Sequence, residues 1–144
     1  MKEGDVIQIA HVTRDLERTM KHYWDTFRIG PWDVYTFAPP AVRDSMVRGK
    51  PSDHTYLLAV TWRGGLQLEL MQPLKGRSLY DECLEQKGEG LHHLKLYYPD
   101  CQAALERFRR QGVQVIQSGK IDADEFYYLD TEKMLGYVVE VGNN

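Results

Sequence analysis

The sequence lacks several features that would place it in a large class of proteins. No apolar run is long enough to span a bilayer, and the N-terminal stretch MKEGDVIQ lacks the apolar segment of a signal peptide. Basic residues are not in excess, because 18 Lys and Arg stand against 21 Asp and Glu, a formal net charge of −3. This balance gives no electrostatic reason to expect binding to nucleic acid or to a membrane surface.

Cysteine is also scarce. Cys83 and Cys101 lie in separate helical patterns without CxxC spacing, which predicts two reduced thiols in a cytoplasmic protein rather than a disulfide. The rest of the composition is ordinary for a globular protein: 144 residues, of which 42% are apolar and 27% charged. A chain of this length can bury a real core, and we expect one domain over residues 1–144.

The first half of the chain is predicted to form a strand, a helix and then three strands. Asp15 is placed to cap the helix, Gly30-Pro31 to end it, and Arg63-Gly64-Gly65 to join the last two strands. The stretch 38–53 has three prolines and no usable period, so it is predicted to be a loop that can cover a pocket. The predicted strands are 5–13, 32–37, 54–62 and 66–71.

The second half repeats this order. Ser78 and Asp81 indicate a capped linker helix over about 78–88, and Asp100 opens the helix of the second half. Repeats that cannot bury their faces alone must stack against each other. We therefore expect module one over about 5–74 and module two over about 89–142. The predicted strands of the second module are 90–98, 113–118, 125–130 and 137–142.

Two adjacent histidines in the stretch GEGLHHLKLYYPD raise the question of which one is functional. Neighbouring residues on a strand point to opposite faces of the sheet, so His92 and His93 cannot serve one site. Leu94 and Leu96 share the face of His92, which suits packing against a helix, whereas Lys95 shares the face of His93. We therefore predict that His93 is the functional residue.

The repeat brings four polar residues to matched positions. Counting back seven from the helix-opening Asp15 and Asp100 gives Gln8 and His93. Counting four forward from Gly65 and Gly136 gives Glu69 and Glu140. This oxygen and nitrogen set suits a divalent cation such as Mn, Co, Ni, Mg or Zn. The alternative is a hydrogen-bonded structural histidine beside solvated glutamates. His11, His22 and His54 are interpreted as structural, and His54 also borders the loop over 38–53.

These residues stand in a sequence that resembles the vicinal oxygen chelate superfamily, which includes glyoxalase I, extradiol dioxygenases, bleomycin-resistance proteins and methylmalonyl-CoA epimerase. The likeness is carried by LQLELMQPLKGRSLYDECLEQKGEGLHHLKLYY, by HVTRDLE and by GYVVEVG, and it is greatest to the epimerase branch. The resemblance implies an α+β fold in which two βαβββ modules form a cup around a divalent metal. The metal ligands that it implies are Gln8, Glu69, His93 and Glu140.

The sequence departs from the epimerase pattern in two places. Gln8 stands where the epimerases usually carry histidine, which lowers the expected metal affinity. The strand after the long loop begins SDHTYLL, with no glutamate to act as the base, so that Asp53, His54 and Tyr56 are the candidates there. This difference puts methylmalonyl-CoA itself in doubt as the substrate.

The chemistry that the resemblance implies is chelation of two substrate oxygens, with the metal stabilising an enolate. Glu140 or Glu69 would then move a proton on the adjacent carbon. The substrate contacts are predicted to be His54, Tyr56 and Lys95. The aromatic stretch 31–37, together with Tyr127 and Tyr128, suits an apolar or aromatic substrate and equally suits a core.

The leading hypothesis is an epimerase or racemase acting beside a carbonyl group, on a CoA thioester or an aromatic ketone. Two alternatives stay open: a glyoxalase-type lyase that acts on a thiol adduct, and a non-catalytic protein that sequesters a small molecule. An extradiol dioxygenase is disfavoured because Gln8 breaks the iron triad of two histidines and one carboxylate. Homodimers are frequent among relatives, so the resemblance also allows a homodimer.

Overall fold

The computed structural model describes residues 1–144 and consists of ten strands and four helices around one sheet. The helices are α1 (Leu16–Phe27), α2 (Leu79–Gln86), α3 (Cys101–Arg110) and α4 (Glu132–Leu135). The strands of the first half are β1 (Val6–Val12), β2 (Asp33–Phe37), β3 (Val42–Val47), β4 (Lys50–Pro51), β5 (Tyr56–Arg63) and β6 (Leu66–Pro73). The strands of the second half are β7 (Gly90–Tyr97), β8 (Val115–Ile121), β9 (Asp124–Leu129) and β10 (Val138–Gly142).

The sheet has the order β2-β5-β6-β1-β7-β10-β9-β8-β3-β4. Strand β1 pairs in parallel with β6, β7 pairs in parallel with β10, and the antiparallel pair β1–β7 joins the two halves at the centre. The strand order within the first half, β1-β6-β5-β2, thus matches the order β7-β10-β9-β8 in the second. The expected α+β fold with its duplicated strand, helix and three strands is confirmed.

Local signals place α1, α2 and α3 where the sequence predicts helices. The Asp15 side chain accepts a hydrogen bond from the Arg18 amide, and Asp100 accepts one from the Ala103 amide. Ser78 forms a capping box with Asp81 at the start of α2. These caps satisfy amide groups that have no partner inside a helix, so they fix the residue at which each helix begins.

The two faces of the sheet have different contents. Leu70 packs with Leu16 of α1 and Ala59, whereas Glu69 and Met71, its neighbours on β6, line a cavity on the opposite face. Helix α2 packs on the cavity side of the sheet, where its buried residues join the largest apolar cluster. The alternation of β6 therefore separates a packing face from a functional face, as expected for a strand.

One element of the predicted layout is wrong. Residues 38–53 are not a loop, because they contain β3 and β4, and β3 pairs with β8 of the second half. The register between β3 and β8 shifts between Arg43 and Met46, and Asp44 has a positive φ of 52°. This bulge interrupts the alternation of period two that would have marked a strand in the sequence. The short helix α4 was also not predicted.

The described helices include none that is both long and apolar enough to cross a membrane. Cys83 of α2 and Cys101 of α3 are buried free thiols in different apolar clusters.

Candidate active site

The four matched polar residues converge at the centre of the sheet. Gln8, Glu69, His93 and Glu140 come from β1, β6, β7 and β10, the four central strands. All four are buried, and His93 is 0% exposed. Four polar side chains in such a position require partners, because a buried polar group without a hydrogen bond costs free energy.

The four side chains satisfy one another. The Gln8 amide nitrogen donates to Glu69 Oε2 at 2.9 Å, and its carbonyl oxygen lies 3.1 Å from His93 Nε2. His93 Nε2 also lies 2.7 Å from Glu140 Oε2 and 3.6 Å from Glu69 Oε1. These contacts make His93 Nε2 the centre of the cluster, and the convergence predicted from the matched spacing is found.

The neighbouring His92 lies outside this cluster. Its ring makes edge contacts with Tyr80 and Tyr128, with ring centroids 5.5 Å and 5.6 Å away. Its ring also packs against that of His93, with centroids 5.1 Å apart and the two Nδ1 atoms 2.8 Å apart. The prediction that the two histidines point to opposite faces of the sheet is therefore wrong, because the register between β1 and β7 shifts at this point and breaks the alternation of the strand. Burial lowers the pKa of His92 well below its ordinary value, so that the ring is neutral. A neutral His92 can hold the orientation of the His93 ring.

A cavity of about 680 Å³ adjoins the cluster. A cavity of this size is within the range for a small-molecule site. Its polar lining includes Gln8, Gln67, Glu69, Lys95 and Glu140. Its apolar lining includes Tyr35, Phe37, Tyr56, Leu58, Phe126 and Tyr128. The cavity therefore combines an extended aromatic surface with two carboxyl groups.

The three predicted substrate contacts have different positions. Tyr56 and Lys95 line the cavity, but His54 does not. His54 is buried behind Tyr56, with the two rings stacked at a centroid distance of 5.8 Å, and its Nδ1 lies 2.8 Å from the Ser52 hydroxyl. Its surroundings are those of a structural residue, and a role for His54 in substrate binding stays a prediction.

Two tyrosines near the site form a pair that the sequence did not predict. The hydroxyl groups of Tyr80 and Tyr128 are 2.7 Å apart, although Tyr80 comes from α2 and Tyr128 from β9. Burial raises the pKa of both tyrosines well above the ordinary value, so both stay protonated. Only the packing of α2 against the sheet brings them together, and no local pattern reports this packing.

The two carboxyl groups have opposite pKa shifts. Burial raises the pKa of Glu69 to about 7, against the lowering effect of His93. Burial also acts to raise the pKa of Glu140, but Lys95 and His93 outweigh it and the net shift is downward. The Lys95 ammonium is 3.6 Å from Glu140 Oε1. Near neutral pH, Glu140 is therefore ionised while Glu69 is partly protonated.

The donor set can be tested for the divalent metal that the resemblance implies. No group of three or more His, Cys, Asp or Glu side chains is arranged to hold a metal ion. The only buried side-chain nitrogen or oxygen without a partner is Nε2 of Gln117, which lies outside the cluster. Ligands awaiting a cation would leave acceptor atoms unpaired, whereas these pair with one another. The residues as arranged do not fit a metal centre, and the metal stays a prediction.

A cavity that lies between two similar halves of one sheet, with a few polar groups at their junction, is typical of a small-molecule site. The sequence model of the glyoxalase/bleomycin resistance protein/dioxygenase superfamily matches residues 7–128. The chain belongs to this superfamily. No curated protein sequence matches the chain.

Solved structures resemble the chain over nearly its whole length. A variant of the Streptomyces coelicolor methylmalonyl-CoA epimerase, in complex with 2-nitronate-propionyl-CoA, is 20% identical with a TM-score of 0.65, over 98% of this chain and 97% of that one. A methylmalonyl-CoA epimerase in complex with methylmalonyl-CoA and NH4+ is 22% identical with a TM-score of 0.65, over 98% and 94%. The methylmalonyl-CoA epimerase from Mycobacterium tuberculosis is 19% identical with a TM-score of 0.64, over 96% and 86%. At these identities the likeness establishes the fold.

Proposed function

We propose that the protein is an isomerase, an epimerase or racemase that moves a proton on the carbon beside a carbonyl group. The observation that carries this proposal is the pair Glu69 and Glu140, which meet at one cavity with pKa values shifted in opposite directions. Two carboxyl groups whose environments separate their pKa values are the arrangement that acid–base chemistry requires. The epimerase neighbours support the same class of reaction.

The proposed reaction uses one carboxyl group on each face of the substrate. Glu140, which is ionised, takes the proton from the carbon beside the carbonyl, and the electron pair of the broken C–H bond moves to the carbonyl oxygen as an enolate. Glu69, which is protonated in this direction, gives its proton to the opposite face of the same carbon and forms the new C–H bond. In the reverse direction the two carboxyl groups exchange these roles.

The cavity lining supports the proposed substrate class. The aromatic side chains Tyr35, Phe37 and Phe126 offer an apolar surface, which suits the acyl part of a CoA thioester or an aromatic ketone. The neighbours that hold methylmalonyl-CoA or 2-nitronate-propionyl-CoA favour the thioester.

Exchange of the substrate proton with solvent tests the proposal. Acyl-CoA thioesters and aromatic ketones are incubated with the protein in D2O, and proton NMR follows deuterium entering the carbon beside the carbonyl. Glu69→Gln and Glu140→Gln keep the side-chain size, and each is expected to slow exchange by about 10²–10⁴-fold. The control is Glu17→Gln on the exposed face of α1, which should leave the rate unchanged.

The other hypotheses give different results in this experiment. If compounds of the panel bind tightly and none exchanges, the proposal fails and a sequestering protein remains. If a thiol adduct is cleaved or formed instead of exchanging, the protein is a lyase of the glyoxalase type. If exchange occurs and both variants retain it in full, the two carboxyl groups are not the acid and base.

A further inference from the structure

We propose that the ammonium group of Lys95, and not a divalent metal ion, is the cation of this site. The Lys95 Nζ lies 3.6 Å from Glu140 Oε1, and the lysine side chain is only 13% exposed. Lys95 also lines the same cavity as Gln8, Glu69 and Glu140. A fixed positive charge therefore stands beside the carboxyl groups at the place where a metal would neutralise them.

The fold provides a specific path for this side chain. Gly142 lies two residues after Glu140 on β10, so the two residues face the same side of the sheet. A Cβ atom at Gly142 would overlap Lys95 Cε and would lie 3.0 Å from Lys95 Nζ. The missing side chain at Gly142 thus leaves room for the lysine stem to lie across β10 and reach Glu140.

The hydrogen bonds of the cluster agree with a built-in cation. Glu140 uses Oε2 for His93 and directs Oε1 towards Lys95, while Glu69 uses Oε2 for Gln8. A divalent ion would have to displace these partners and would then stand next to an ammonium group. Two neighbouring cations repel each other strongly in a buried site.

A lysine in this position has a chemical use. The ammonium group has three hydrogen-bond donors, and its contact with Glu140 is an ion pair at 3.6 Å, so donors are available to a ligand oxygen in the cavity. In the proposed isomerase reaction this oxygen is the enolate oxygen, whose negative charge Lys95 would stabilise. This last step rests on the proposed function, whereas the assignment of the cation does not.

Metal binding tests the assignment without any substrate. The wild-type protein is treated with EDTA, incubated separately with Mn²⁺, Co²⁺, Ni²⁺, Zn²⁺ and Mg²⁺, passed through a desalting column and analysed for metal. We expect no stoichiometric metal in the wild type. Lys95→Ala removes the competing charge, and this variant should bind roughly one divalent ion per chain. Lys120→Ala is the matched control, because Lys120 also lies on a strand but has a half-exposed side chain and does not line the cavity, and it should behave as wild type.

Lys95→Met covers the case in which the alanine variant does not fold, because it keeps the aliphatic stem over Gly142 and removes only the charge. For this variant we expect that added Mn²⁺ or Zn²⁺ raises the melting temperature, which the same ions should not do for the wild type. One bound metal per chain in the wild type would overturn the proposal. Absence of metal binding in every folded Lys95 variant would overturn it as well, because Lys95 would then not be what keeps a metal out.

The two proposals fail separately. A wild-type protein that binds no metal, and gains it when Lys95 is replaced, supports the lysine cation even if no carbonyl compound exchanges its proton. Proton exchange by a wild-type protein that holds a stoichiometric metal supports the isomerase and rejects the lysine cation.

Discussion

Glu69 and Glu140 occupy the same position in the two halves of the molecule, yet the side chains on the strands next to them differ. In the parallel pair β1–β6, Glu69 stands opposite Ala10, and in the parallel pair β7–β10, Glu140 stands opposite Lys95. Ala10 and Lys95 are thus equivalent positions of the repeat. One half places a methyl group next to its carboxyl group, and the other half places an ammonium group there.

The difference shows how a duplicated fold produces two carboxyl groups with different pKa values. The repeat determines where each carboxyl group lies, and the residue on the adjacent strand determines how strongly it holds its proton. Without a cation on its own half, Glu69 has a pKa raised by burial. With Lys95 beside it, and with help from His93, Glu140 has a lowered pKa despite the same burial. Three predictions test this difference.

The largest effect is expected from Glu140→Gln, which removes the charge that Lys95 and His93 face. We expect a loss of about 3 kcal/mol in the free energy of unfolding at pH 7, the low end for a broken buried pair, because Lys95 still borders the cavity. Urea denaturation followed by circular dichroism measures this change. The control is Glu85→Gln, which breaks an exposed pair with Arg77 and should cost less than about 1 kcal/mol. A loss no larger than that of the control would contradict the prediction.

A smaller effect of opposite sign is expected from Glu69→Gln. Because the pKa of Glu69 is raised to about 7, the native state keeps a proton that the unfolded state loses, and stability falls as the pH rises from about 4.5 to about 7. The glutamine variant has no such loss. We expect it to be more stable than the wild type at pH 8, by at most about 3 kcal/mol, and equally stable near pH 4. Urea denaturation at both pH values checks the slope, and a variant that is destabilised at pH 8 would refute the difference between the two carboxyl groups.

The smallest effect concerns residues that the two halves share. Asp15 and Asp100 cap equivalent helices and each accepts one backbone hydrogen bond. Asp15→Ala and Asp100→Ala are each expected to cost about 1 kcal/mol of unfolding free energy. Two similar values would show that the helix caps of the two halves are equivalent, although the two carboxyl groups are not. Values that differ by more than the effect itself would show that the asymmetry extends to the helix caps.

The repeated order of strands and helices, and the convergence of the four polar residues, could be predicted because both follow from local spacing. Asp15 and Asp100 open equivalent helices, so that the same count back along the chain reaches Gln8 on β1 and His93 on β7. Alternation on β6 then places Glu69 on the cavity face. A repeated pattern allows each half to be checked against the other, which is why these positions are found where they were expected.

Other features could not be predicted, because they depend on contacts between distant residues. The ion pair of Lys95 with Glu140 depends on space left by Gly142 on another strand, and the Tyr80–Tyr128 pair depends on how α2 packs. His54 borders the predicted loop in sequence, but the stacking on Tyr56 holds it behind the cavity wall. The spacing of residues along a strand or helix predicts the face to which each side chain points. It does not predict which residues of other elements that side chain contacts.

The hairpin β3–β4 links the two halves of the sheet. It belongs to the first half, but Val42 and Val47 pair with Ile121 and Gln117 on β8, at the far side of the second. A molecule made only of two repeats could be divided between them, with each half keeping its own strands. Here division would remove β3 from β8, which keeps only β9, and would leave a row of unpaired backbone groups of the kind that pairs with strands of other chains. The β3–β4 hairpin of the first half thus covers the edge strand of the second half, so that the second half depends on the first for a covered sheet edge.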